Sequence, residues 1–481
     1  MSLVVLSTIA ISLGWIFWLV WPKILPAKSI RGIPLVEFKG DNSRQRYTSD
    51  AASLLVKGYN TYTKHGRPFC MRDFLNEHNP RVYLPVKYLE EVRNAPQEKL
   101  SLPGILHYTS TIGKVGGGPR ITDEIQASAR VDLNRALNKL IEPMYIRCLE
   151  TAKREMPACP DWTSVVLYPK ILELFSQMSA RVMVGPELCN AWAPIGMEYM
   201  KATLAAQVAI RKKYHPIFYW AAYYLNPELV KVDEVRRNAA ELIRPWIMDN
   251  YRANGKTVTP HEIVQNIIIV MAASLHGTSF IALQSLFSLL GSAGALAEVR
   301  KETEYVSNKE LGGSAWTRHA LGELRTLDSF MKETLRLKPF QQATVQRFAM
   351  TPYTFKDGLH IPSHTVVSFA NLHYNMDTAS PAGPDPDRVD GKRWLRRRAF
   401  ETSKYKFAST SEDAFDWGAG LHACPGRFMA DVTIKLILIS LVTKYDMKLC
   451  EGAQERPSES RRFMDLTPDT SMPVMIRDLE S

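Results

Sequence analysis

The chain has 481 residues, 46% of them hydrophobic, enough to build a sizeable core. Its six cysteines contain no CxxC pair and nothing in their spacing suggests a disulfide framework, which points to a reducing compartment for the main domain. The formal charge of +11 suits an anionic membrane or an acidic protein partner; no nucleic-acid motif accompanies it, so a nucleic-acid partner is set aside.

Leu3 to Trp21 is apolar or small throughout and uncharged. At about 1.5 Å per residue the stretch spans roughly 28 Å, enough to cross a bilayer core. Trp15, Trp18 and Trp21 cluster toward one end, as interfacial aromatics do, and Lys23, Lys28 and Arg31 place the bulk of the chain on the cytosolic side. The rival, a cleaved signal peptide, lacks a basic start and a small-x-small cleavage site. The expected division is a transmembrane anchor over 3–22, a proline-containing connector over 23–36 and one large domain over 37–481. No low-complexity linker, internal repeat or long charge block cuts that domain.

An amphipathic helix is expected around Ala51–Thr63 and short strands near Arg81–Pro85. Gly116 to Gly118 form a loop without the Lys-Ser/Thr ending of a phosphate-binding loop. Ala127–Glu142 reads as a helix carrying Arg130 and Arg135. Asp161–Val184 reads as a helix closed by Gly185-Pro186, and Met197–Leu225 as helices rich in aromatics, Tyr214, Phe218 and Trp220 among them. Thr259-Pro-His-Glu262 is a capping box opening a long apolar helix to about Gly291. Within it, Ala272-Ala-Ser-Leu-His-Gly-Thr-Ser279 is unusually polar, and its glycine costs about 1 kcal/mol relative to alanine. Such a break suggests a groove where ligand or water meets the helix. The alternative is a satisfied His276 and a Thr278 bonded back to the preceding turn. Leu324–Leu337 is a helix with Glu333 and Arg336 on one face. Pro339–Arg347 reads as extended, Asp357-Gly358 as a tight turn, Arg396-Arg-Arg398 as a solvated or partner-docking run, and Phe463–Pro468 as a loop between apolar strands.

The chain is organised around Trp417-Gly-Ala-Gly-Leu-His-Ala-Cys-Pro-Gly-Arg-Phe-Met-Ala430. A glycine-rich turn presents Cys424 just before a helix expected over Phe428–Leu441. The dipole and unpaired N–H groups of a helix start favour a thiolate, the metal-binding form of cysteine. Gly420 and Gly426 let backbone approach a flat cofactor, and His422 is placed to hydrogen-bond an acidic group on it. One thiolate with no second cysteine nearby argues against zinc or an iron–sulfur cluster and fits a single axial ligand on haem iron.

This stretch resembles the haem-binding loop of the cytochrome P450 family, in particular its fungal microsomal members in secondary metabolism. The family usually has Phe where this chain has Trp417. The resemblance implies a mainly α fold, a large helical domain with a small β-rich part, preceded here by one N-terminal transmembrane helix. It implies haem b with Cys424 as axial ligand. It also implies propionate partners, with Arg135 first, Arg130 in reserve, and Arg347. The family's oxygen-binding groove falls on His276 and Thr278, with Gly277 where a threonine is usual, which puts the usual proton relay in doubt. Glu333, Arg336 and Arg393 match a structural triad, and Met197–Leu225 a substrate-access lid. The implied activity is monooxygenation of a lipophilic, terpenoid-like substrate. Electrons come from NADPH through cytochrome P450 reductase, and the chain is held in membrane lipid of the endoplasmic reticulum. The weighed alternatives are a haem-thiolate isomerase or dehydratase that rearranges a peroxide, which Gly277 would suit, and a non-catalytic haem or lipid carrier.

Overall fold

The computed structural model describes residues 12, 14–15, 29–74, 79–109, 123–214, 222, 224–252, 260–312, 315–400, 404–411, 415–450 and 459–479. The expected loop at Gly116–Gly118, most of Leu3–Trp21 and the aromatic stretch 215–221 lie outside them. The chain divides into two compact units, Met1–Thr109 with Val345–Ala370, and Ser110–Thr344 with Asn371–Ser481.

In the first unit, helix α1 (Arg44–Thr61) starts well before Ala51, because Ser43 caps it by accepting the Arg46 N–H at 3.3 Å. Ala51, Leu54 and Leu55 are its buried face. A five-stranded sheet runs in the order Phe69–Met71, Arg81–Tyr83, Val366–Phe369, Thr344–Ala349, Leu100–Ser101. Arg81–Tyr83 pairs in parallel with Val366–Phe369, and the outer pairs are antiparallel. The turn at Asp357-Gly358 is present, with Gly358 at φ +90° between strands Tyr353–Thr354 and His360–Ile361.

In the second unit, the helix expected over Ala127–Glu142 is broken at Val131 into Asp123–Arg130 and α2 (Asp132–Glu155). Thr163–Val166 is a strand rather than helix, and α3 (Leu167–Lys213) follows it. Gly185, at φ +81°, breaks α3, but Pro186 occupies a first-turn position and the chain resumes its helix instead of ending there. Next come α4 (Pro227–Arg252), α5 (Pro260–Leu290), α6 (Arg325–Leu337) and α7 (Arg427–Val442). A three-stranded antiparallel sheet sets Pro473–Asp478 between Thr163–Val166 and Tyr445–Leu449. The turn at Phe463 joins strands Ser460–Arg462 and Asp465–Thr467.

The mainly helical architecture with a small β portion agrees with expectation; the N-terminal transmembrane helix assigned to it does not. Among the described residues, the helix long and apolar enough to cross a membrane is Ile263–Leu290, in the middle of the chain. It packs against α3, α4, α6 and α7. Leu275, Leu283, Leu286 and Phe287 share one core with Leu137, Leu174, Leu335 and Ile437. Ile263, Val264, Ile268 and Met271 share a second with Trp192, Val232 and Ile243. A helix surrounded by other helices becomes apolar on most sides, and hydropathy alone does not separate that from a membrane span.

Candidate active site

Cys424 lies between a single 3-10 turn, Gly420–His422, and the start of α7. Main-chain bonds hold the loop. Cys424 N–H donates to the Trp417 carbonyl at 2.7 Å, and Arg427 Nη1 donates to the Cys424 carbonyl at 2.8 Å. Gly418 and Gly420 have φ of +78° and +62°, conformations in which a side chain is strained. Gly426 has no such constraint, yet a Cβ built on it would meet nothing within 4 Å among the described residues. The backbone beside the sulfur is therefore open, as a flat cofactor needs. The indole of Trp417 donates to the Phe407 carbonyl at 2.6 Å and packs edge-on against the Phe407 ring.

Burial pushes the Cys424 thiol above its ordinary value. The N–H groups of Gly426 and Arg427 and the Arg427 guanidinium pull the other way and do not win. The helix start thus favours a thiolate as expected, but desolvation outweighs it, and a cation bound at the sulfur would supply the missing stabilisation. Among the described residues, no group of three or more His, Cys, Asp and Glu side chains could hold a metal ion.

Of the two propionate candidates ahead of α3, Arg130 is the one felt at this loop. Its charge adds to the burial that holds Arg427 below its ordinary value, against the opposing pull of Cys424. Both Arg130 and Arg135 stand exposed, Arg135 on α2. Arg347 belongs to the first unit and is 2% exposed. Its Nη1 donates to the Gln346 carbonyl, while Nε and Nη2 are buried without a partner among the described residues. Burial pulls its pKa down to about 10, so it stays charged at neutral pH. A buried guanidinium lacking a counter-anion fits a propionate.

On α5, His276 Nδ1 lies 2.9 Å from the hydroxyl of Tyr168, at the start of α3. Burial lowers the His276 pKa, so the ring is neutral. Among the described residues, nothing lies within 4 Å of a Cβ built on Gly277. Thr151, Thr303 and Thr433 each bond back to the carbonyl four residues earlier, at 2.8 Å. Thr278, 7% exposed, makes no such bond among the described residues, which leaves its hydroxyl available.

Glu333 is 0% exposed. It accepts from Arg336 at 2.8 and 2.9 Å and from Arg393 at 3.1 Å. Two further donors carried no sequence signal as partners, the Trp394 indole at 3.0 Å and the Asp390 amide at 3.0 Å. The remaining guanidinium donors of Arg393 reach the carbonyls of Ala382, Pro384, Asp385 and Arg388. The triad therefore pins the segment ahead of the Cys424 loop. Arg398, read as solvated, is instead buried against Asp328 and the Tyr405 carbonyl. A cleft of about 630 Å³ lies elsewhere, lined by Glu298, Arg388, Lys392 and Arg397 among others, and no residue of the Cys424 loop borders it.

The family model for cytochrome P450 matches residues 209–473. The chain is 33% identical to cytochrome P450 monooxygenase ccsG of Aspergillus clavatus, over 99% of both chains. It is 32% identical to cytochrome P450 monooxygenase cheE of Chaetomium globosum, over 96% of this chain and 94% of the relative. It is 30% identical to the pyrichalasin C-7 hydroxylase of Pyricularia grisea, over 88% of each. In fold it is similar to the retinoic acid-bound cyanobacterial CYP120A1, with a TM-score of 0.67 and 17% identity over 94% of this chain and 100% of that one. Agreement with these relatives along nearly the whole chain, in sequence and in fold, makes this protein a member of the cytochrome P450 family and a monooxygenase.

Proposed function

We propose that residues 37–481 form a haem-thiolate catalytic domain that inserts one oxygen atom from O₂ into a lipophilic fungal secondary metabolite. The observation that carries this reading is the lone Cys424 sulfur at a helix start beside the open face of Gly426. Cys424 would hold the iron of haem b, with Arg135, Arg130 in reserve, and Arg347 its candidate propionate partners and His422 at its edge. When bound, a haem with a thiolate ligand supplies the chemistry that favours O–O cleavage. A terpenoid skeleton is the first candidate substrate. A pyrichalasin-like compound is the second, supported by the name of one relative.

Family membership implies a reductase as electron source. We place that encounter at the cytosolic face of the endoplasmic reticulum. Arg318 and Arg427 give an acidic donor a basic surface around the start of α7, where both stack on Phe428. Incubation with candidate terpenoids, NADPH, reductase and isotopically heavy O₂ is expected to give a product carrying one labelled oxygen. Mass analysis checks this, and unlabelled product formed without NADPH or O₂ would favour peroxide rearrangement instead.

The free hydroxyl of Thr278 is proposed to hold a proton donor in place of the threonine missing at Gly277. Thr278→Ala is expected to lower product formed per NADPH consumed by up to roughly a hundredfold, the low end of a general-acid contribution. Unchanged coupling in that variant would remove Thr278 from proton delivery.

A further inference from the structure

The pairing of Tyr168 with His276 has a consequence for the substrate, which rests on reading α5 as a wall of the substrate site. The two residues are 108 positions apart in sequence. Among the described residues, the Tyr168 hydroxyl has one hydrogen-bond partner, His276 Nδ1. His276 Nε2 is buried and has none. Burial pushes the Tyr168 pKa up to about 12, so its O–H is intact.

Two tautomers of the neutral ring are available. With the proton on Nδ1, the ring donates to the tyrosine oxygen. The Tyr168 O–H and the Nε2 lone pair are then both left without partners. With the proton on Nε2, Tyr168 donates to Nδ1, and one group remains unmatched, the Nε2–H. Each buried unmatched polar group is destabilising and the second tautomer leaves fewer of them, so it is favoured. Its surroundings are apolar and flat. The Phe280 ring lies 5.4 Å from both Tyr168 and His276 and 5.9 Å from Phe340, which is 37% exposed.

We propose that Tyr168 fixes His276 as an Nε2–H donor, and that this donor binds a carbonyl oxygen on an otherwise lipophilic substrate. His276 is thus a substrate-binding residue and Tyr168 a positioning residue that acts through it. The substrate class narrows to rigid apolar molecules bearing a ketone, ester or amide carbonyl.

The test is calorimetric titration of the full-length haem-loaded protein with 2-adamantanone and with adamantane, which share a cage and differ in the carbonyl. The quantity read is the ratio of the two dissociation constants. His276→Leu is expected to shift this ratio about tenfold against the ketone, the value of one hydrogen bond of about 1.4 kcal/mol. Tyr168→Phe keeps the ring contact with Phe280 and frees the tautomer. It is expected to weaken ketone binding about twofold while leaving adamantane unchanged, since only part of the histidine population then presents N–H. A merely structural role would weaken both probes alike. A ratio equal in the wild type and His276→Leu overturns the proposal, as does failure of the wild type to bind the ketone. The reduced CO spectrum of each preparation separates this outcome from failure of the haem-thiolate reading, because neither variant changes a residue of the Cys424 loop.

Discussion

Cys424→Ser is expected to abolish the red-shifted thiolate band of the reduced, CO-bound protein and to bring turnover down to background, with the fold retained. A serine hydroxyl does not ionise near neutral pH, so it cannot replace a thiolate as an anionic axial ligand. The loop itself should survive. Its fixed points are the Cys424 N–H on the Trp417 carbonyl and the Arg427 guanidinium on the Cys424 carbonyl, and both use main-chain atoms of residue 424. The Gly426 and Arg427 N–H groups that face the sulfur can meet an oxygen equally well. Thermal unfolding of the haem-free forms should therefore differ by no more than about 1 kcal/mol, within the ordinary range for a single substitution. An unchanged spectrum together with retained turnover would end the assignment of Cys424.

Glu333→Ala should have the largest effect on stability. The carboxylate is completely buried and accepts from Arg336, Arg393, the Trp394 indole and the Asp390 amide. Its removal leaves two buried guanidinium groups without their counter-charge, a loss of about 3–5 kcal/mol. Total stability of a folded domain is only about 5–15 kcal/mol, so a large fraction disappears. The expected result is a lower denaturant midpoint and poor haem retention, because Arg393 can no longer hold the segment before residue 417. Chemical denaturation followed by fluorescence measures the first effect and haem absorbance per protein the second. A midpoint within experimental error of the wild type would show that the carbonyl contacts of Arg393 suffice without Glu333.

Features of this protein that depend on neighbouring residues were legible in its sequence. Glycines at 418 and 420, a cysteine and the start of an apolar run define the Cys424 loop, since positive φ and helix initiation are local properties. Glu333 and Arg336 pair across a single helical turn, which their spacing already requires. Only the tertiary structure brought Trp394 and Asp390 onto Glu333, buried Arg398 on Asp328 and joined Tyr168 to His276. Those contacts link segments whose separation depends on how whole helices pack, information that no local pattern carries. The same limit explains Ile263–Leu290, since hydropathy records that a helix avoids water and leaves open whether protein or lipid covers it.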